Sequence, residues 1–379
     1  MKTINFLTSH FVPENTACTN RVLAFIRELE KNYKINVICL TQKGKIQENS
    51  KVAYSENIDI YYVNQKNFDG KNFFKRAFNE LFYIRKLVKI SKKIDYDLIM
   101  VTSPYMFMIP IVGFTLRGPK ILDIRDLVWE YLDDRNIIKR MIKNTLKFIM
   151  LQGIRRFDHI TVTNDYEATL LRDGYSVKNI DILFNGIEKS RFDQLIKIGL
   201  KEDTYFTVTY VGNIGLAQNL QTIIDAAKRL PEVKFLLIGD GIELQDLKDY
   251  AERHQINNVN FAGKVAWHML QGYYEKTSVL YAQLDEKYIS AVPSKLYEYA
   301  SIGLPIIYGG IGQAVKFVEK LENSIVVTPG DVEDLVDAIK EIKEKNVTIS
   351  KKNRILVKER YLRETAAEEI VNIVNEVIR

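Results

Sequence analysis

This sequence predicts two Rossmann-like, doubly wound α/β domains in tandem, facing each other across a cleft. Three observations carry the prediction. Short apolar strand runs alternate with helical patterns along the whole chain, the signature of parallel sheets. The alternation breaks once, at 187–204, where the charged stretch IEKSRFDQLIKIGLKEDT loses strand periodicity, and it restarts afterwards. The length of 379 residues exceeds one typical core, so two domains of about 150–200 residues each are expected. The expected boundaries are 1–190, 205–360 and a C-terminal helix, 361–379, that packs back toward the first domain.

In the first half the strands read INFLTS, INVICL, IDIYYV, LIMVTS, KILDIRD, HITVTN and IDILFN, with the helix TNRVLAFIRELEKN between the first two. Residues 98–116, LIMVTSPYMFMIPIVGFTL, carry no charge, and about 20 such residues can cross a bilayer. The SP and IP pairs divide them, so a buried strand, a turn and a short apolar helix are expected. In the second half YFTVTYVGNIG, VKFLLIGDG, VNFAG, SVLYAQL, PIIYGG and SIVVTPG read as strands. The intervening NLQTIIDAAKRL, ELQDLKDYAERH and VEDLVDAIKEIKEK read as helices. In such sheets the ligand lies beyond the carboxyl ends of the strands.

Composition is ordinary for a globular protein, 46% hydrophobic and 27% charged. Two cysteines, Cys18 and Cys39, make neither a disulfide framework nor a metal-ligand spacing. The start, MKTINFLTSHF, reads as a strand and lacks the series of a secretory leader, so a cytoplasmic location is expected. His10, His159, His254 and His268 are dispersed and form no metal pair; His10 either lines the cleft or is a plain turn histidine. The net charge of +6 is uneven: residues 1–190 hold 30 Lys/Arg against 21 Asp/Glu. Residues 71–93 hold eight basic residues and one acid, Glu80, interleaved with Phe73, Phe74, Phe78, Leu81, Phe82 and Ile84; residues 137–150 hold four basic residues and no acid. These are either solvated amphipathic helices on a sheet or a docking face for an anionic membrane. Nucleic acid is disfavoured, since no nucleic-acid module is recognisable.

Three stretches carry chemistry. In AVPSKLYEYASIGLPII, 291–307, Pro293 suits a first helical turn, and Lys295 stands at the positively polarised helix end. A lysine there is electrostatically sensible with an anion such as a diphosphate beside it. Glu298 lies on the same face and can accept from ribose hydroxyls; the bland alternative is an ordinary surface Lys–Glu pair. In YVGNIGLAQNL, 210–220, Gly212 and Gly215 let backbone approach a ligand, and the amides of the next helix can bind oxyanions. In ILDIRDLVWEYLDD, 121–134, Asp123, Arg125 and Asp126 end a strand. Asp126 there either orients or deprotonates an acceptor hydroxyl, or caps a helix.

In order, VGNIGLAQNLQTIIDAA, FLLIGDGIELQDLK, VNFAGKV, PSKLYEYASIGLPII and NSIVVTPGDVEDLVDAI resemble the donor-binding half of retaining family 4 glycosyltransferases with the GT-B fold. HFVPENTACTNRV and DIRDLVWE are similar to the acceptor half of their bacterial capsule and O-antigen branch. The resemblance implies a nucleotide-sugar donor, with UDP the expected nucleotide. Glu298 would bind ribose, and Ser294, Lys295 and the amides around Leu296 the diphosphate. Gly212, Asn213 and Gly215 would form the turn below it, and Gly239, Asp240 and Val265 would flank the base. Asp126 falls near an active-site position of the family, with His10, Asn15 and Arg125 on the acceptor side. The chain departs from the pattern at Ser290, eight residues before Glu298, where the family carries a first glutamate. It also has Asn213 and Gln218 where many members have Arg and Lys.

The reaction so implied is retaining transfer from that donor to a sugar acceptor, with no metal or other cofactor expected. A lipid-linked acceptor would explain the basic amphipathic face of the first domain and would place the protein at the inner face of a bacterial membrane. A sugar-nucleotide epimerase of the same fold and a non-catalytic subunit are the alternatives. NAD-dependent chemistry is disfavoured, because neither half has the full glycine fingerprint.

Overall fold

In the computed structural model the apolar runs of the first half pair into one sheet. Its strands are β1 (Thr3–Thr8), β2 (Lys34–Gln42), β3 (Lys51–Ala53), β4 (Ile58–Gln65), β5 (Leu98–Ser103), β6 (Lys120–Ile124), β7 (His159–Val162) and β8 (Ile180–Ile182). They lie in the order β3-β4-β2-β1-β5-β6-β7-β8, all parallel except β3 against β4. Every residue of β5 and β6 is buried, as a parallel sheet covered on both faces requires. The structure describes residues 1–14, 16–42, 50–65, 73–103, 105–199, 205–345 and 348–379.

The second sheet holds β9 (Thr207–Val211), β10 (Lys234–Ile238), β11 (Val259–Gly263), β12 (Val279–Gln283), β13 (Ile306–Gly309) and β14 (Ile325–Val327). The order is β11-β10-β9-β12-β13-β14, wholly parallel. This is the doubly wound order, reversing direction between β9 and β12. In the first sheet the reversal lies between β1 and β5.

Helices cover both sheets: α1 (Ala17–Leu29), α2 (Phe73–Ser91), α3 (Met108–Thr115), α4 (Ile137–Ile154), α5 (Asp165–Thr169), α6 (Lys189–Leu195), α7 (Gln221–Arg229), α8 (Leu244–Arg253), α9 (Gln271–Tyr274), α10 (Ser294–Ile302), α11 (Gln313–Val318), α12 (Val332–Glu344), α13 (Lys351–Arg360) and α14 (Arg363–Ile378). Several start at side-chain caps: Thr16 before α1, Asn136 before α4, Asn164 before α5 and Asp331 before α12, each satisfying an amide the first turn leaves open. The apolar stretch 98–116 is β5 followed by α3, and no described helix is long and apolar enough to cross a membrane.

The chain divides into two units, Met1–Asn185 with Arg363–Arg379, and Gly186–Leu362. The expected linker at 187–204 is therefore corrected at its start. Ile187 pairs with Leu362 in a parallel bridge, and α6 packs on α10, so the segment through 199 belongs to the second unit. Helix α14 packs on α1, its Ala367, Ile370 and Val374 joining the core formed by Ile4, Val22, Ile26 and Val37.

Candidate active site

The direction reversal of the second sheet places the carboxyl ends of β9 and β12 side by side, and the chemistry-bearing stretches follow those two strands. After β9 comes Gly212, at φ +145. A Cβ built there would meet Lys295 Nζ at 2.6 Å, so the glycine makes room for the lysine. Gly239, after β10, has φ +151, and its Cβ would meet Gly212 O at 1.8 Å. Only glycines permit this backbone contact. Gly212 N donates to Ile238 O at 2.8 Å and Ile214 N to Asp240 O at 2.9 Å, which stacks the two turns. Gly239 N in turn donates to Gly263 O at 2.9 Å, placing Val265 just beyond the same turn.

Pro293 is the N-cap of α10, without a side-chain cap, and Gly303 ends the helix in the left-handed conformation. Ser294 is exposed, and Leu296 is fully buried with its amide already donating to Pro293 O at 3.0 Å. Leu296 therefore offers the site neither its side chain nor a free amide, and that part of the expectation is corrected. Lys295 Nζ lies 3.8 Å from the centre of the Tyr210 ring. Burial pushes its ammonium down to about 7, against the opposing pull of Glu298. A lysine desolvated this way beside free-turn backbone is poised for an anion.

Glu298 does not form the simple surface pair with Lys295. Its Oε1 accepts from Arg191 Nη1 at 3.2 Å, and the Arg191 guanidinium lies 5.2 Å from the centre of the Trp267 ring. Beneath the glycine turn, buried Gln283 at the end of β12 donates to Gln218 O, Asn219 O and Thr222 Oγ1 and accepts from Gly330 N. Tyr299 on α10 accepts from Val211 N at 2.9 Å, and Asn213 Nδ2 donates to Gln218 Oε1 at 3.1 Å. Arg191, Gln283 and Trp267 were not found by sequence reasoning. One local expectation is corrected: no α-helix follows Gly215 directly. A 3-10 turn, Leu216–Gln218, intervenes, and α7 starts at Gln221, so helix amides next to the glycine turn come from α10. A cavity of about 720 Å³ opens at the opposite, amino-terminal ends of β9–β11, lined among others by Tyr205, Lys234 and Tyr273. It shares no residue with this cluster.

In the first unit, His10 follows β1. Its Nδ1 lies 2.8 Å from Glu14 Oε2, and its ring meets Tyr105 edge-on, centroids 6.3 Å apart. Asn15 lies outside the described residues. Asp123 is corrected from a strand-end group to a wholly buried one, held by Arg21, Thr102 and Thr161. Arg125 carries a buried Nε with no partner, and its carbonyl accepts from Thr163 Oγ1 at 3.2 Å. Asp126 is exposed and does not cap a helix: the following 3-10 turn starts from Leu127 without a side-chain cap. The protein crowding its carboxyl pushes it above the usual carboxylate range, Arg125 opposing. Near it in charge is Glu167 of α5, fully buried, with Oε2 bound by Thr163 and Oε1 unpartnered. Burial first, and the Asp126 charge second, raise Glu167 to about 8. Glu167 thus holds its proton at neutral pH.

Comparison with known proteins follows the same division. Residues 19–191 match the family described as Glycosyltransferase Family 4, and residues 191–363 match Glycosyl transferases group 1. The α-monoglucosyldiacylglycerol synthase of Streptococcus pneumoniae is 24% identical over 334 residues, 81% of this chain and 71% of that one. Among solved structures, sucrose-phosphate synthase of Thermosynechococcus elongatus superposes with TM-score 0.77 at 15% identity, over 99% of each chain. HepE of Anabaena, solved with UDP and glucose, gives 0.66 at 16% identity over 99% of this chain and 100% of its own. Both halves are matched, each sheet has the doubly wound order, and the chain belongs to the family 4 glycosyltransferases of the GT-B fold.

Proposed function

We propose that this glycosyltransferase moves a sugar from UDP to a lipid-linked sugar acceptor, with retention, in surface polysaccharide assembly on the cytoplasmic face of a bacterial membrane. The observation that carries the donor half is the desolvated Lys295 seated against Gly212 at the start of α10. Breaking the anomeric C–O bond builds charge on the departing diphosphate. A lysine and helix-start amides fixed there stabilise that charge as it develops. The reading assigns charge stabilisation to these groups and invokes no metal or other cofactor. Glu298 takes the ribose, Asp240 and Val265 flank the base, and Asp126, with His10, Asn15 and Arg125, serves the acceptor. Calorimetric titration with UDP, GDP, ADP and NAD tests it. UDP should bind selectively and Glu298→Ala should weaken it by about tenfold or more; indifference to that change would return the chain to a non-catalytic reading.

The membrane half is reshaped by the structure. In α4, Lys139, Lys143 and Lys147 pair with Asp133, Asp134 and Glu130, so this helix offers less free charge than its sequence suggests. It does expose Ile137, Ile138, Met141 and Phe148; Phe114 of α3 and Phe78 and Phe82 of α2 are exposed as well. The three helices contact in series, α2 with α3 and α3 with α4. Apolar insertion from α4 with charge from Arg85, Lys86 and Lys89 of α2 supports docking on anionic lipid. Residues 71 and 72, and the side chains of 73–76, lie outside the described residues. The relative named as a diacylglycerol glycoside synthase supports a lipid acceptor. Replacing Ile138, Met141 and Phe148 by Gln should reduce binding to phosphatidylglycerol vesicles at least about tenfold with UDP affinity unchanged. Equal vesicle binding by variant and wild type would remove the membrane from the proposal.

A further inference from the structure

Arg191 is the residue that neither the family-like motifs nor the donor reading accounts for. It stands in α6, the first helix after the chain enters the second unit, and α6 packs directly on α10. Its guanidinium makes two contacts at once, Nη1 to Glu298 Oε1 at 3.2 Å and its central carbon over the Trp267 ring, 5.2 Å from the ring centre. The segment bearing it is fixed at its base: Ile187 N donates to Tyr361 O at 2.8 Å, and a Cβ on Gly186 would strike that same carbonyl at 2.3 Å. An arginine with its backbone anchored and its guanidinium held over an indole ring has lost part of its rotamer freedom before it meets the carboxylate. Such a charge-assisted hydrogen bond holds its acceptor in one orientation.

On the reading that Glu298 receives the ribose of the donor, we infer that Arg191 is a positioning residue for nucleotide recognition. It fixes the rotamer and charge of Glu298, so that the carboxylate meets the ribose hydroxyls without first being ordered. Trp267 is part of the device. The indole ring holds the guanidinium in place, and a lysine, a point charge without the planar fork, reproduces the attraction but not the orientation. The device acts only through Glu298 and only on the hydroxyls, which separates it from a structural ion pair.

The test measures UDP and 2′,3′-dideoxy-UDP binding calorimetrically to wild type, Arg191→Met and Arg191→Lys. Wild type should lose about tenfold or more in affinity when the hydroxyls are removed. Arg191→Met should weaken UDP by about tenfold yet bind the dideoxy nucleotide within about twofold of wild type, so the hydroxyl effect collapses. Arg191→Lys, the variant least disturbing to folding, should fall between. Equal loss on both nucleotides would overturn the inference and leave the donor site standing. Failure of wild type to bind UDP at all would overturn the donor reading and this inference with it.

Discussion

Lys295→Met is expected to remove UDP binding and at the same time make the free protein more stable at pH 7. Burial compromises the charge of this lysine, its ammonium lowered from 10.5 to about 7, Glu298 only partly compensating. The unfolded chain holds this proton up to its ordinary value and the folded chain only up to about 7. Between those values the unfolded state binds more protons, so stability rises with pH through that window and the full penalty applies below it. At about 1.4 kcal/mol per pH unit the ceiling is about 5 kcal/mol; the residue keeps some access to solvent, which reduces the expected gain to about 2–3 kcal/mol. Methionine preserves the length of the stem over Tyr210 and removes the charge. Urea unfolding without nucleotide should show the variant ahead of wild type at pH 7 and the gap closing toward pH 10. The same shift predicts that UDP binding recruits a proton. In wild type above pH 7 the binding heat should vary with buffer ionisation enthalpy and the affinity should fall as pH rises. A variant less stable than wild type at pH 7 would mean that the lysine is held in place for the fold and not for an anion.

Much of this site was legible because its parts are local. Gly212, Lys295 and Glu298 each sit in a strand-turn or helix-start context that short-range pattern defines, and the doubly wound order then brings the ends of β9 and β12 together. The partner of Glu298 was not legible. Arg191 is 107 residues away, in a charged stretch that reads as linker because α6 is short and its packing partner, α10, comes from far along the chain. Gln283 escaped for a similar reason: a glutamine ending an apolar strand carries no pattern that says its amide will clamp a turn. Strand β3 went unread because all three of its residues are exposed and no apolar alternation marks it. Asp123 was misplaced for a subtler reason. In DIRD, an aspartate just before the end of the strand and one just after it look alike, and only the tertiary position of Arg21 separates the buried one from the accessible Asp126.

That buried pair carries the second large effect. Asp123→Asn should destabilise the first unit by about 3–5 kcal/mol. Asp123 and Arg21 are 0% and 2% exposed. Asp123 Oδ1 accepts from Arg21 Nη2 at 2.7 Å and Thr161 Oγ1 at 2.7 Å, and Oδ2 from Arg21 Nε at 3.1 Å and Thr102 Oγ1 at 2.9 Å. Arg21 Nη1 reaches on to Phe184 O at 3.3 Å. One carboxylate therefore joins α1, β5, β6, β7 and the segment that leaves the unit. Burial pushes its pKa up, but Arg21 and the two threonine donors outweigh burial and hold it below the ordinary value. With the folded value depressed, the unfolded chain takes up the proton first as pH falls, so this stability is present above about 4 and is lost below it. An asparagine leaves Arg21 a buried cation without its counter-charge, which is why removing one partner is so much worse than removing both. The double variant Arg21→Met with Asp123→Leu should recover most of the loss, since two apolar side chains of similar size need no desolvated charges. Urea unfolding followed at Trp129, fully buried in the same unit, measures wild type, Asp123→Asn, the double variant and its two single components. If the losses of Arg21→Met and Asp123→Leu, each made alone, simply added in the combined protein, the pair would be two independent contacts, and the acid sensitivity assigned to it would have to come from elsewhere.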